Sequence, residues 1–196
     1  MPTHRRMPVR DLALVASFAA LIAVLGLPGS LSLFGNAVPI TLQTLGVMLA
    51  GSVLGWRRGF LAVATFLVLV AVGLPLLSGG RGGLGVFAGA SAGFLLGWAV
   101  GAAVTGWLVE RTLPAYPVWW GLLANVAGGM AVVYAFGVPV QMQVASLSLH
   151  EALSFTALYL PGDVVKAVLA TVVAAGVHRG RPVEPPSRPR SRTAVG

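Results

Sequence analysis

An aspartate and a lysine, Asp163 and Lys166, stand three residues apart in the run Leu160-Pro161-Gly162-Asp163-Val164-Val165-Lys166-Ala167, so on a helix they share one face. The rest of the run is apolar and opens a long hydrophobic stretch. An ion inside a membrane helix costs about 2.5–3.5 kcal/mol at the centre on insertion scales, which disfavours a lone buried charge. Either the two neutralise each other and steady their helix, or they hold a polar ligand. Proline suits a first helical turn and an aspartate near that terminus meets the helix dipole, so the sequence predicts a last helix beginning near residue 160.

A second unusual stretch covers residues 78–89, with six glycines in twelve positions and Arg81 in their midst. Glycine allows positive φ and close backbone approach. The N–H groups around Gly82 and Gly83 could therefore converge on a carboxylate, with Arg81 as a bidentate partner. The plain alternative is an open polar connector. Leu84, Val86 and Phe87 inside the stretch favour a loop that packs back onto the protein.

The run Val38-Pro39-Ile40-Thr41-Leu42-Gln43-Thr44-Leu45 contributes further polar groups. Threonine in a membrane helix often bonds its own i−4 carbonyl, which weakens the case for Thr41 and Thr44. Gln43 is read either as a helix-to-helix bond or as a ligand contact. Asn125 lies deeper, beside Gly128 and Gly129, where it serves equally as packing glue or as a ligand group. Tyr134, Trp98, Phe87 and Phe94 are candidate walls. No spacing of histidines fits a metal site, and the absence of cysteine excludes disulfides, thiolate zinc sites, iron–sulfur clusters and cysteine nucleophiles.

The elements that must carry these groups follow from composition. Of 196 residues, 57% are apolar and only 9% are charged, with a mean hydropathy of +0.88; a soluble domain carries about 25% charge. The fold class is thus an all-α membrane protein. Apolar runs at 11–27, 39–55, 59–77, 91–109, 118–138 and 160–177 predict six transmembrane helices, and a large catalytic domain is excluded. With a cytoplasmic N-terminus, the inner segments hold Arg5, Arg6, Arg10, Arg57, Arg58, Arg111, Arg179, Arg181, Arg188, Arg190 and Arg192. Only Arg81 and Lys166 fall toward the outer face, so both termini are expected inside. Residues 1–10 form a basic cytoplasmic N-terminus, 11–178 the six-helix substrate-binding domain, and 179–196 a disordered Pro/Arg-rich cytoplasmic tail. The tail's charge suits anionic lipid, and no nucleic-acid partner is expected. Outer connections are expected at 28–38, at the Gly-rich loop 78–90 between helices 3 and 4, and at 139–159. In the last of these, Ser148-x-x-Glu151 has the form of a capping box opening a short interfacial helix.

Taken together, the run 38–45, the loop Gly73-Leu74-Pro75-Leu76-Leu77-Ser78-Gly79-Gly80-Arg81-Gly82-Gly83-Leu84-Gly85 and the run 160–166 resemble, in order and spacing, the BioY family, the biotin-binding S components of energy-coupling factor (ECF) transporters. The resemblance extends from about residue 11 to 177. The chain departs from the family where Gly89-Ala90-Ser91-Ala92-Gly93-Phe94 replaces a Gly-Pro-Thr-Gly-Gly-Tyr run, which removes a tyrosine hydroxyl at Phe94. The resemblance implies biotin as ligand. Asp163 would accept from the ureido N–H groups, Lys166 would donate to the ureido carbonyl, Asn125 or Gln43 would complete the set, and Arg81 with the glycine loop would face the valerate carboxylate. It also implies a coupling transmembrane subunit and two ATP-binding-cassette ATPase subunits in a prokaryotic cell membrane. This chain has no Gly-rich nucleotide loop ending in Gly-Lys-Ser or Gly-Lys-Thr, so ATP is expected to be hydrolysed by partners and no cofactor or metal by this chain. Ala16-x-x-x-Ala20 and Ala19-x-x-x-Ala23 offer small faces for close helix contact, which in the family meet the coupling subunit; packing within the chain is the other reading.

Two alternatives come from other classes. One is an S component for a different vitamin, or a small multipass scaffold without a ligand. The other is an intramembrane serine protease using Ser91 and His178, but those residues end opposite faces of the bundle, about 27 Å apart for a helix of that length, where a Ser-His pair needs about 3 Å.

Overall fold

The computed structural model describes residues 7–28 and 40–180. Residues 1–6 of the basic N-terminus, the expected first outer connection from 29 with Pro39, and the tail from 181 lie outside the described residues. The described chain forms six main helices: α1 Val9–Val24, α2 Gln43–Leu54, α3 Trp56–Ala71, α4 Ala92–Glu110, α5 Val118–Ala145 and α6 Leu149–Gly180. Among the described residues no strand is present. Three of the helices, α4, α5 and α6, are long and apolar enough to cross a membrane.

Helices α2 and α4 form the centre. From Gly46 to Leu54 every residue of α2 is buried, as is Gln43 at its start, and α4 packs against α2, α3 and α5. Small residues allow this closeness: a Cβ at Gly51 would meet Ala102 O at 2.5 Å, and one at Gly101 would meet Gly128 O at 2.5 Å. Helices α2 and α3 are joined through Gly55 at φ +81°. At that end of the bundle Arg58 Nη2 pairs with Asp11 Oδ1 at 2.9 Å, both side chains buried, which ties α3 to α1.

The expected third span stops early, at Ala71 rather than 77. Gly73 takes φ +106°, and the chain then turns back so that Gly83 N–H donates to Val70 O at 2.7 Å, capping the helix it has left. A short 3-10 turn, Leu84–Phe87, leads toward α4.

The third outer connection is corrected most. Instead of a loop over 139–159, α5 runs on through Pro139 to Ala145, and α6 begins at Leu149. The connection shrinks to residues 146–148. Ser146 adopts a left-handed φ of +51° and Leu147 N–H donates to Met142 O at 3.0 Å, closing α5 in the manner of a Schellman motif. The Ser148–Glu151 capping box forms, with Glu151 Oε2 accepting from Ser148 N at 2.8 Å and from its Oγ at 2.6 Å. The helix it opens is α6 itself. Pro161 is therefore interior to that helix and Asp163 is far from its N-terminus, so the dipole argument for Asp163 fails. The buried stripe explains why: Ala152, Thr156, Tyr159, Asp163, Lys166 and Ala170 recur at spacings of three or four straight through Pro161, which sits on the exposed side. At 1.5 Å per residue α6 is about 48 Å long, well beyond a hydrocarbon core of about 30 Å.

Candidate functional site

At the end of the bundle away from the Asp11–Arg58 pair, five segments line a pocket that is partly open to the outside. Ile40, Thr41, Gln43 and Thr44 come from the approach to α2 and its first turn, and Leu77 and Arg81 from the glycine loop. Helix α4 adds Ser91, Phe94, Leu95 and Trp98, α5 adds Val133 and Tyr134, and α6 adds Tyr159, Asp163 and Lys166. The walls are mainly apolar and aromatic, with Phe94 and Tyr159 meeting edge to face at 6.3 Å.

The polar centre of the pocket is built on α6. Lys166 Nζ donates to Asp163 Oδ1 at 2.7 Å, and the hydroxyl of Tyr134 donates to Asp163 Oδ2 at 2.5 Å. Both oxygens of the carboxylate are thus held, one by an ammonium and one by a neutral donor, in a setting where an unpaired ion would be expensive. The indole Nε1–H of Trp98, in the same wall, is buried without a hydrogen-bond partner among the described residues. Arg81 lies between this pocket and a shallow open groove lined by Gly80, Gly82, Gly85, Val86, Gly89, Ala90 and Ser91. Its backbone exchanges two hydrogen bonds with Leu77, at 3.0 and 3.2 Å, around Gly79 and Gly80, both at positive φ.

The other expected residues divide. Thr41 lines the pocket but sits ahead of α2, where its Oγ1 accepts from Gln43 N–H at 3.2 Å. Gln43 lines the pocket and uses its amide on protein groups. Gly82 faces the open groove, pressed so close to Leu74 that a Cβ would stand 2.3 Å from its carbonyl oxygen. Like Gly82, Gly83 and Phe87 do not line this pocket: Gly83 makes the turn that caps α3 and Phe87 packs against the core.

Asn125 lies apart from this pocket. It is fully buried outside the pocket lining, accepting from Ser52 Oγ at 2.9 Å and donating to Gly121 O and Thr171 Oγ1, each at 3.0 Å. It begins a π-helical segment, Asn125–Val132, whose wider turns leave carbonyls in need of donors; Thr105 supplies one to Ala124 O at 3.3 Å. Below it, His178 Nε2 lies 2.9 Å from Ser52 O and its ring stacks on Tyr116. Burial pushes the Tyr116 phenol up to about 12, against a smaller opposing effect of its hydrogen bond with Ser52. His178 therefore belongs to this inner polar cluster and Ser91 to the outer pocket, so these two residues do not form a pair.

On α1 the alanines split. Ala16 and Ala20 are exposed, whereas Ala19 is buried beside Val15 and Ile22 and Ala23 is half-buried against the core, so the second small-residue pair packs inward. Tyr159 and the hydroxyl role of Tyr134 escaped the sequence reading. Tyr159 lies four residues before Asp163, on the same helical face, and would have been legible had 149–159 been read as helix.

The sequence matches the BioY family over residues 1–183. It is 50% identical over 186 residues to the biotin transporter BioY of Rhizobium etli, covering 91% of this chain and 98% of that one. It is 46% identical over 185 residues to the biotin transporter BioY of Rhodobacter capsulatus, covering 88% and 95%. In three dimensions it resembles a crystal structure of the S-component for biotin from an ECF-type ABC transporter, with TM-score 0.83 and 29% identity over 92% of this chain and 97% of that one.

Proposed function

The chain belongs to the BioY family, and from that premise we propose that it is the biotin-binding membrane subunit, the S component, of an ECF-type transporter. It is a transport subunit, not an enzyme. The observation that carries the ligand assignment is the coexistence, in one mainly apolar pocket, of the bonded Asp163–Lys166 pair and of Arg81 at the boundary with the open groove.

Biotin presents two ureido N–H donors, a ureido carbonyl, a thioether ring and an anionic valerate chain. Asp163 accepts from the ureido N–H groups while Tyr134 keeps hold of its second oxygen, and Lys166 donates to the ureido carbonyl. Phe94, Trp98 and Tyr159 cover the thioether ring, and the valerate runs past Thr41 toward Arg81, with Gly82 shaping the exit. Because a buried polar group left unpaired is costly, such a site rejects analogues without the ureido pattern.

Arg10, Arg57, Arg58, Arg111 and Arg179 lie at the end opposite the pocket, which supports the reading of that end as cytoplasmic and of the pocket as outward-facing. On this reading all six helices cross a prokaryotic cell membrane with both termini inside. ATP is hydrolysed by two partner ATPases acting through a coupling subunit that packs on the exposed Ala16–Ala20 face of α1.

Titration of the purified chain with biotin, and with an analogue alkylated on the ureido nitrogens, tests the assignment. Saturable quenching of the tryptophans by biotin alone is the expected result. A flat isotherm with biotin beside saturable binding of another vitamin overturns it.

A further inference from the structure

Gln43 is 1% exposed, and its side-chain amide is engaged at both ends by the protein. Nε2 donates to Ile22 O at 3.2 Å and to Leu76 O at 3.0 Å, while Oε1 accepts from Ser78 N–H at 3.1 Å. A primary amide has two N–H donors, so both are used. The partners lie at the end of α1 and on either side of Leu77. Leu77 in turn is the residue whose backbone exchanges two hydrogen bonds with Arg81, and Arg81 Nε donates to Ser78 O at 3.3 Å. The amide thus clasps the two backbone groups that flank the root of the arginine loop. Gly26 makes room for the clasp: a Cβ there would lie 2.9 Å from Gln43 Nε2 and 3.0 Å from Leu76 O.

We infer that Gln43 is a positioning residue, which holds the glycine loop so that Arg81 meets the anionic end of the ligand, and which makes no polar contact with the ligand itself. The inference rests on the reading that Arg81 faces the carboxylate. It deepens that reading, because it explains how a half-buried arginine on a glycine-rich loop keeps one position. Acid-over-ester selectivity then depends on an amide that lies in another helix.

The test compares biotin with biotin methyl ester on the full-length protein in detergent. Arg81→Ala is expected to weaken acid binding about tenfold and ester binding hardly at all. Gln43→Met should show the same acid-selective loss, and the double variant should be no weaker than Arg81→Ala alone. Gly26→Ala disturbs the clasp from α1, at a residue outside the pocket lining, and should show a milder form of the pattern. Equal loss for acid and ester in Gln43→Met, or losses that multiply in the double variant, overturn the clasp. If Gln43→Met does not fold, Gly26→Ala decides, an acid-selective loss supporting the clasp and any other result overturning it. Should Arg81→Ala treat acid and ester alike, the carboxylate reading fails and the clasp's role with it; if Arg81→Ala discriminates and both clasp variants do not, the clasp alone fails.

Discussion

Lys166 Nζ stands 2.7 Å from Asp163 Oδ1 with less than a tenth of either side chain exposed, one helical turn apart on the face of α6 that lines the pocket. Removing one partner leaves the other charge buried and uncompensated, at about 3–5 kcal/mol. Asp163→Asn and Lys166→Met are each expected to lower the thermal midpoint in detergent and to abolish biotin binding. The double variant should regain much of the midpoint without regaining the ligand. Unchanged affinity in either single variant would remove the pair from the site.

Tyr134→Phe keeps the ring in the wall and deletes the donor to Asp163 Oδ2. The bond exists without ligand, and a hydrogen bond to a charged group contributes about 1.5–3 kcal/mol, so stability should fall by about that much, and affinity should fall about tenfold because the freed carboxylate must be re-oriented on binding. Calorimetry that returns the parental affinity would mean that the hydroxyl does not orient the carboxylate.

The inner cluster should behave in the opposite way. Asn125→Leu removes the acceptor of Ser52 Oγ and the donor to Thr171 Oγ1, which keeps its own bond to Ala167 O at 2.7 Å, and is expected to cost about 1–3 kcal/mol of stability. Biotin affinity of the folded fraction should hardly change. A stable variant that no longer binds would bring Asn125 back into the pocket.

Two glycines in the outer loop give a matched pair. An alanine at Gly82 would drive its Cβ into Leu74 O, whereas one at Gly85 meets nothing within 4 Å. Tryptophan quenching should report about a tenfold weaker site for Gly82→Ala, on the scale of a displaced Arg81 hydrogen bond, and an unaltered one for Gly85→Ala. Equal behaviour of the two would detach the loop's path from binding.

The two faces of α1 test the proposed docking of a coupling subunit. Ala20→Trp enlarges an exposed position and should reduce co-purification with the coupling subunit while sparing biotin binding. Ala19→Trp overfills the core, at about 1–3 kcal/mol or more, and should depress stability itself. Intact complex formation by Ala20→Trp would place the partner elsewhere.

Much of this arrangement could be read along the chain. Low charge and long apolar runs led to an all-helical bundle, and the three stretches rich in rare polar groups supply residues to one pocket, because ions in an apolar bundle must be paired or used. What a linear reading placed wrongly was the start of α6. Pro161 looked like a boundary, yet a proline on the exposed side of a helix is tolerated when the buried stripe from Ala152 to Lys166 continues past it.

Amino-acid order alone determined the helical class, the lopsided distribution of arginine and the shared helical face of Asp163 and Lys166, since each depends on composition or on neighbours within a single turn. Tertiary structure decided which polar groups meet across helices. Gln43 bonds to residues 22, 76 and 78, and Asn125 to residues 52 and 171. Periodicity assigns a residue to a face, but the rotation and height at which two helices pack choose its partner, and those are set by close contacts such as Gly51 against Ala102 and Gly101 against Gly128.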